Sequence, residues 1–414
     1  MAPNLPSLMK KTKAFLTPSS SSASIPKFKD GFTKAPTTTS LFPQVDPAID
    51  GEDCDHDCES CHIQYPKGFK IEEDDKLYGH VKGWDTHMLV ATGKTDWVKD
   101  VQDEKGSVME AVRECGVEPV HKLMLSASNM PLPPDHDDHP QASAPTTVLL
   151  LPAFTFIDNV TPSTVPDLIH QHINPAPTTT TPLNAPPAHF PPTPDSEPRS
   201  SSSHRDPTPE PSTSPSTITD SLTTAAATLT TSIANTLQPP SSSPFTSRPC
   251  GHRALILLCS QRTRDARCGQ SAPLLLREFN RHLRTLGLYR DLHDERPGGV
   301  GIYFISHVGG HKYSANVMVY RRAPLPPPSS SGREGNGSLD EDVNKDGGGE
   351  DEEGGQVKGE AEGLGQGSQC IWLARVRPED CEGIVKQTVL KGKVVKPERQ
   401  LRGGFDRGRG LVSW

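Results

Sequence analysis

Two cysteines and two histidines in the last third of the chain have side chains and spacings that suit a metal centre. Cys259 and Cys268 are separated by eight residues, and His307 and His311 by three. Thiolates and imidazoles are the ligands that proteins use for zinc and for iron-sulfur clusters. The two glycines between the histidines let the backbone approach a bound group closely. These four side chains therefore predict one metal centre.

A small α/β unit must bring these side chains together. Residues 253–258 predict a buried strand that ends just before Cys259, and residues 301–306 predict a strand that ends just before His307. A helix is predicted to begin at Ser271, three residues after the second cysteine. Further strands are predicted at 315–320 and 371–375, with a helix over 378–390. This order predicts a small sheet with helices packed on it.

The kind of metal remains open between iron and zinc. The spacing of the histidines fits zinc, but eight residues between the cysteines exceed the roughly 2–4 typical of a zinc knuckle, which favours iron. A thiol exchanger of the thioredoxin type would have two residues between its cysteines at this turn. The plain structural alternative is a set of buried cysteines and hydrogen-bonded histidines without metal.

Three arginines lie between the two cysteines: Arg262, Arg264 and Arg267. Positive charge here would favour thiolates over thiols. It would also suit the docking of an acidic redox partner. The competing interpretation is that the arginines form salt bridges with Asp265 and order the loop.

A second group of cysteines, Cys54, Cys58 and Cys61, has the spacing with which radical enzymes bind a [4Fe-4S] cluster. Its setting among acidic residues and histidines does not fit that use. Three alternatives stay open: a zinc site that includes His56 or His62, a group of regulatory or catalytic thiols, and unbonded surface cysteines.

The composition limits how much of the 414 residues can form a core. The chain has 42 Pro and 34 Gly, with 33% hydrophobic and 5% aromatic residues. Its net charge of −8 equals that of residues 324–368, which hold eleven acidic and three basic side chains, so the remainder is near neutral. A nucleic-acid binder is therefore not expected. No apolar run reaches the roughly 20 residues of a membrane span.

Nine cysteines, an odd number, and the lack of a secretory leader argue against a disulfide scaffold.

Composition shifts divide the chain into four parts. The first domain contains strand-like runs at 87–91 and 148–156 and a helical run at 107–114. The predicted parts are a disordered basic tail or targeting segment at 1–50, an α/β domain at 51–170, a disordered Pro/Ser/Thr linker at 171–250, and a second domain at 251–414 with an acidic Gly-rich insertion at 324–368.

The motifs around the candidate ligands resemble the fungal sucrase/ferredoxin-like family, and within it the branch named for altered inheritance of mitochondria. They are RDARCG at 264–269, HVGGHKYSANVMVY at 307–320 and LRGG at 401–404. The segment YPKGFKIEEDDKLYGHVKGWDTHMLVATGKTDWVKDV at 65–101 is similar to the amino-terminal half of that family. No carboxylate pair with a defined setting supports a sucrase activity.

The resemblance implies a fold class of α/β type: a thioredoxin-like ferredoxin domain preceded by a second small α/β domain. It also implies a [2Fe-2S] cluster held by Cys259, Cys268, His307 and His311. Two neutral imidazoles in place of thiolates raise the reduction potential of such a cluster. The expected function is electron transfer or redox homeostasis, by a carrier rather than a hydrolase. The alternatives are a zinc-stabilised thioredoxin-like binding module and a thiol oxidoreductase that uses the amino-terminal cysteines.

The expected partners are a redox protein, not yet identified, and the iron-sulfur assembly machinery. Val412, Ser413 and Trp414 resemble a carboxy-terminal tag by which cytosolic assembly machinery selects its clients; alternatively, Trp414 packs the terminus onto the domain. The first 29 residues carry five lysines and no acid, which favours a mitochondrial location over a cytosolic one.

Overall fold

The computed structural model describes residues 31–134, 144–183, 243–322 and 365–414. The basic segment before residue 31, most of the Pro/Ser/Thr linker and most of the acidic insertion lie outside these residues, so the expectations for those parts remain predictions. The prediction of a disordered linker is wrong at its two described ends, because the chain forms a helical turn, Ile169–Ile173, and a strand, Thr246–Pro249, there. None of the helices within the described ranges combines the length and apolarity needed to cross a membrane.

Residues 31–50 form secondary structure, so the prediction of a disordered tail is wrong for them. They comprise strand β1 (Thr33–Lys34) and two single-turn helices, α1 (Thr38–Leu41) and α2 (Pro47–Asp50). Leu41 and Phe42 are fully buried. Burial of these few large side chains, which the polar composition of the segment conceals, offsets the entropy lost in ordering it.

The first half of the fold alternates strands and short helices. Its elements are β2 (Thr86–Ala91), α3 (Val108–Glu114), β3 (Leu123–Ser128), β4 (Thr146–Leu151), β5 (Thr155–Val160) and α4 (Val165–Leu168), which continues as a π-helical turn, Ile169–Ile173. The strand order is β3-β2-β4-β5, with β2 and β3 parallel. The apolar run at 148–156 is two antiparallel strands rather than one, because the chain turns at Pro152, which has no N–H for a sheet ladder.

The second half repeats this order. Its elements are β6 (Thr246–Pro249), β7 (Ala254–Cys259), α5 (Ala266–Thr285), β8 (Val300–Ile305), β9 (Val317–Arg322), β10 (Gly367–Leu373), α6 (Cys381–Gly383), α7 (Pro397–Gln400), β11 (Leu401–Asp406) and β12 (Leu411–Ser413). A π-helical turn, Ile384–Val389, continues α6. The strands run in the order β8-β7-β9-β10, with β7 and β8 parallel. Each half thus places a parallel pair beside an antiparallel pair.

The two halves share one mixed sheet. In the described residues twelve strands follow the order β1-β12-β11-β10-β9-β7-β8-β3-β2-β4-β5-β6. The halves meet where β3 and β8 pair antiparallel through Ser128 and Ile305. The expectation of a mixed α/β fold is confirmed, but the two predicted domains are halves of a continuous sheet.

Helix α5 begins earlier than predicted. Asp265 caps its first turn by accepting a hydrogen bond from the backbone N–H of Arg267, whereas Ser271 lies inside the helix and donates to the carbonyl oxygen of Cys268 at 3.3 Å. Pro273 is also internal, so it does not mark the first turn. Consequently Cys268 belongs to the helix rather than to the loop before it.

Candidate metal centre

All four predicted ligands lie at one end of the second half of the sheet. Cys259 is the last residue of β7, and Cys268 lies in the first turn of α5. His307 follows the end of β8 after one intervening residue, and His311 begins a short 3-10 turn. Because β7 and β8 are parallel, their carboxyl ends adjoin, and this relation brings the thiols to the histidine loop.

The thiols and the first histidine converge. One donor atom each from Cys259, Cys268 and His307 lies within 4.8 Å of the other two. His311 stands at the rim, with Nδ1 3.5 Å from Nε2 of His307. The cysteines are 2% and 1% exposed, whereas the His311 side chain is 42% exposed. The site therefore has a buried thiol side and an open imidazole side.

The side chains fit a metal or a cluster. Nδ1 of His307 is buried and has no hydrogen-bond partner among the described residues. A buried nitrogen without a partner is costly unless it binds something else. Two sulfur and two nitrogen donors suit zinc or an iron-sulfur cluster and do not suit a hard cation such as Mg²⁺.

The two thiols differ in acidity. A hydrogen bond with Cys259 lowers the pKa of Cys268 to about 5, and the same hydrogen bond, together with burial, raises the pKa of Cys259 well above its usual range. Ser314 lies 3.5 Å from the sulfur of Cys268 and adds to the stabilisation of its thiolate. Cys268 is thus ready to ligate at neutral pH.

The loop between the cysteines rests on the first half of the fold. The hydroxyl of Ser260 donates to the carbonyl oxygen of Thr95 at 2.8 Å. The backbone N–H of Thr263 donates to Asp96 at 3.0 Å, and its hydroxyl donates to the same carboxylate at 2.8 Å. The first half therefore holds the ligand loop in place, a role that the sequence did not indicate.

Gln261 connects this loop to the histidines. Its Oε1 accepts from the backbone N–H of His307 at 2.8 Å, while its amide donates to the carbonyl oxygen of Val98. Gln261 is 1% exposed. Sequence reasoning missed this residue because an amide in a loop has no pattern of its own.

The loop that carries both histidines depends on two glycines and one arginine. Gly309 and Gly310 have φ values of +90° and +73°, in the left-handed region that favours glycine. The guanidinium of Arg402, in the LRGG segment on β11, would lie 2.7 Å from a Cβ placed at Gly310. A side chain at Gly310 would therefore displace the arginine.

The three arginines of the cysteine loop mainly order it. Arg267 pairs with Asp265 at 2.9 Å, and Arg264 donates to the carbonyl oxygen of Lys99 at 3.2 Å. Arg262 packs against Gly269, the residue after Cys268, because a Cβ placed at Gly269 would lie 2.5 Å from the Cβ of Arg262. Only Arg267 forms the salt bridge with Asp265 that the competing interpretation expects, whereas Arg264 and Arg262 contact other parts of the chain.

A cleft of about 500 Å³ opens beside His307. It lies between the two halves, and its charged lining consists of Arg264, Lys99 and Lys122 together with Asp100 and Glu118. The corresponding ends of β2 and β3 in the first half carry no thiol or imidazole; Ala91 and Asn129 lie there. At these strand ends, the thiol and imidazole side chains therefore lie in the second half of the fold.

The amino-terminal cysteines lie elsewhere. Cys58 meets Glu278 and His282 of α5, and all three are buried. His56 is exposed beside Asp53 and Asp55 and takes no part in this group. The structure therefore does not support a zinc site that combines these cysteines with His56.

Comparison with known proteins gives one family. The model of the sucrase/ferredoxin-like family matches residues 77–403. Actin patches distal protein 1 of Saccharomyces cerevisiae is 53% identical over 72 residues, which are 17% of this chain and 23% of that protein. Altered inheritance of mitochondria protein 32 is 28% identical over 145 residues in Clavispora lusitaniae (35% of this chain, 33% of that protein) and 30% over 142 residues in Debaryomyces hansenii (34% and 33%). The chain thus aligns with a third or less of each relative's length. No solved structure matches.

Proposed function

The chain belongs to the sucrase/ferredoxin-like family, and we propose that it binds a [2Fe-2S] cluster through Cys259, Cys268, His307 and His311 and carries electrons to a partner protein. The observation that supports this most is the convergence of two buried thiols and the imidazole of His307 within 4.8 Å. Nδ1 of the second imidazole, His311, lies 3.5 Å from Nε2 of His307. A two-iron cluster is larger than one ion, so its outermost ligand need not reach the same point as the other three. Such a cluster, when bound, exchanges one electron at a time.

The arrangement of the second half supports the thioredoxin-like part of the proposal. Its central strands lie in the order β8-β7-β9-β10, and in the chain α5 follows β7 and α6 follows β10. In such a sheet the carboxyl ends of the parallel strands are the usual place for a functional site. Cys259 and His307 lie there.

The proposed centre has a buried side, formed by the cysteines, and an exposed side, formed by the histidines, and each side suits one requirement of an electron carrier. The cysteines are sealed from water, which protects their sulfur atoms from oxidation. The histidines face the surface and the adjoining cleft, so they form the shortest route for an electron. Three basic side chains line the cleft (Arg264, Lys99 and Lys122) against two acidic ones (Asp100 and Glu118), and this excess of positive charge favours a partner with an acidic docking surface.

A zinc-stabilised binding module is the second candidate. Cys259, Cys268 and His307 already surround one point, which suits a single tetrahedral ion with His311 as its fourth ligand. Zinc has no redox chemistry, so this candidate would not transfer electrons.

A mitochondrial location is part of the proposal. Relatives carry the name altered inheritance of mitochondria protein 32, and the first 29 residues contain five lysines and no acid. Cluster insertion would make the iron-sulfur assembly machinery a partner. The ring of Trp414 packs 4.7 Å from that of Trp84, which favours a packing role for this residue over a recognition tag.

The test is metal analysis of the anaerobically purified full chain. We expect visible charge-transfer bands and about two irons and two sulfides per chain, lost in Cys268→Ser and His307→Ala. Cys115→Ser and His293→Ala are matched controls, because Cys115 bonds only backbone carbonyls and His293 is exposed; both should keep the bands. A colourless protein whose zinc is lost in His307→Ala would replace the cluster with the zinc candidate.

A further inference from the structure

A second group of donor side chains lies on α5, away from the centre at its amino-terminal end. Glu278 and His282 are one turn apart on the same face of the helix, and Cys58 lies against them. Their exposures are 1%, 7% and 7%. Glu278 is ten residues beyond Cys268 on α5, about 15 Å at 1.5 Å per residue. The two groups are therefore separate sites.

The donor atoms have the spacing of a metal site. Those of Cys58, Glu278 and His282 lie within 4.8 Å of one another. The sulfur of Cys58 is 3.9 Å from Nε2 of His282, which is 3.2 Å from the carboxylate of Glu278. Zinc bonds of about 2.0–2.3 Å place tetrahedral ligands about 3.3–3.8 Å apart. The observed separations are close to these values.

A fourth donor is adjacent. Cys61 follows Cys58 with two residues between, and its backbone N–H donates to the carbonyl oxygen of Cys58 at 3.2 Å, so the chain turns there and keeps the two cysteines close. The Cys61 thiol donates to the carbonyl oxygen of Ile63 at 3.7 Å. Burial would raise the pKa of Glu278, but interactions with Arg281 and with the Cys61 thiol lower it. Two thiols two residues apart, with a histidine and an acid from one helix, form a donor set typical of zinc.

A positive charge already occupies the point of convergence. Nη2 of Arg281 lies 3.3 Å from the sulfur of Cys58 and 3.1 Å from Nε2 of His282, and it also contacts the carboxylate of Glu278. The Arg281 side chain is 42% exposed, so it can turn outward without crossing the core. The three donors thus surround a cation position that opens to solvent.

We propose that Cys58, Cys61, Glu278 and His282 bind one Zn²⁺ ion, which clamps the amino-terminal segment to α5. Binding releases the two thiol protons, and the two thiolates, the carboxylate and the ion together carry one negative charge. The backbone N–H of Cys58 also donates to the carbonyl oxygen of Glu379 at 3.0 Å, so the ion would tie three segments together.

The test uses a parent variant, Cys259→Ser with His307→Ala, which keeps only one of the three convergent donors of the first centre. Zinc binding to this full-length protein is measured by competition with a chromogenic chelator. One zinc per chain is expected, lost on adding Cys58→Ser or His282→Ala and kept on adding Cys115→Ser. The proposal would be overturned if the parent bound no zinc, or if zinc stayed bound both after Cys58→Ser and after His282→Ala. The outcome is independent of whether the first centre holds a cluster.

Arg281→Ala keeps the test decisive if removal of a donor unfolds the chain. This variant removes a competing cation and retains all four donors. Zinc affinity equal to or above that of the parent supports the site. Weaker binding, with all four donors in place and the competing cation removed, would mean that these side chains do not hold the ion, and the proposal would be wrong.

Discussion

Arg402 donates a hydrogen bond from Nη1 to the carbonyl oxygen of Gly309 at 2.9 Å, and this bond ties β11 to the loop that carries both histidines. The same nitrogen bonds Oδ1 of Asn316 at 2.8 Å, and Asn316 donates to the carbonyl oxygen of Gly310 at 3.0 Å. Arg402 is 6% exposed, and burial lowers its pKa to about 10, so it is still charged at neutral pH. The LRGG segment therefore holds in place the loop that carries the proposed ligands His307 and His311.

Arg402→Ala should release the histidine loop. We expect the free energy of unfolding to fall by about 2–3 kcal/mol, because hydrogen bonds from a charged, buried group are lost. Bound metal should fall in parallel. Chemical denaturation and metal analysis check this. Arg399→Ala, which removes a surface ion pair with Glu73, should change neither by much; equal effects of the two substitutions would contradict the role assigned to Arg402.

Gly309→Ala and Gly310→Ala form a matched pair. Both glycines have positive φ, so an alanine at either should cost about 1 kcal/mol in backbone strain. A Cβ at Gly309 meets open space, whereas one at Gly310 would lie 2.7 Å from the Arg402 guanidinium. We therefore expect Gly310→Ala to be the more destabilising and to lose more metal, as measured by thermal unfolding and metal content. In an Arg402→Ala background the difference should shrink; a difference that persisted would exclude contact with the arginine as its cause.

Asp96→Ala should loosen the cysteine loop from the first half of the fold. The carboxylate accepts two hydrogen bonds from Thr263, and burial, which would raise its pKa, is outweighed by these bonds, which lower it. We expect faster loss of metal to a chelator and faster alkylation of Cys268. Asp103→Ala is the control, because that carboxylate pairs with Arg113 at the surface. Unchanged chelation and alkylation rates in Asp96→Ala would show that the loop holds its shape alone.

His87 should make the fold sensitive to acid. It is fully buried, bonded to Tyr320 and Ser126 at 2.9 Å each, and burial lowers its pKa from 6.5 to about 3. The folded state thus favours the neutral ring. Its contribution to stability is complete above about pH 6.5 and decreases as the pH falls towards 3, by up to about 1.4 kcal/mol per pH unit.

The measurement is the free energy of unfolding between pH 6.5 and 5, above the range in which unfolded carboxylates titrate. His252, whose pKa burial also lowers, to about 4, adds to the slope in the same direction. His87→Gln should reduce the slope, whereas His293→Gln, at an exposed site, should leave it unchanged. A slope unaffected by His87→Gln would contradict this assignment.

The sequence by itself determined the candidate ligands and the strands that carry them to one edge of the sheet. Cys259 and His307 follow apolar runs that form the strands β7 and β8. Because these neighbouring strands are parallel, their carboxyl ends lie at the same edge of the sheet. Local patterning also predicted a helical run at 107–114, where α3 spans Val108–Glu114. These features depend on periodicity and on residues close in the chain, which a single sequence contains.

Only the tertiary structure decided what surrounds those side chains. The contact of Arg402 with Gly309 spans 93 positions, and that of Cys58 with His282 spans 224, so no local pattern could indicate either. The order within residues 31–50 likewise comes from burial of Leu41 and Phe42 against distant segments. Long-range packing and hydrogen bonds pair residues according to the folded topology, and periodicity in the chain does not encode that topology.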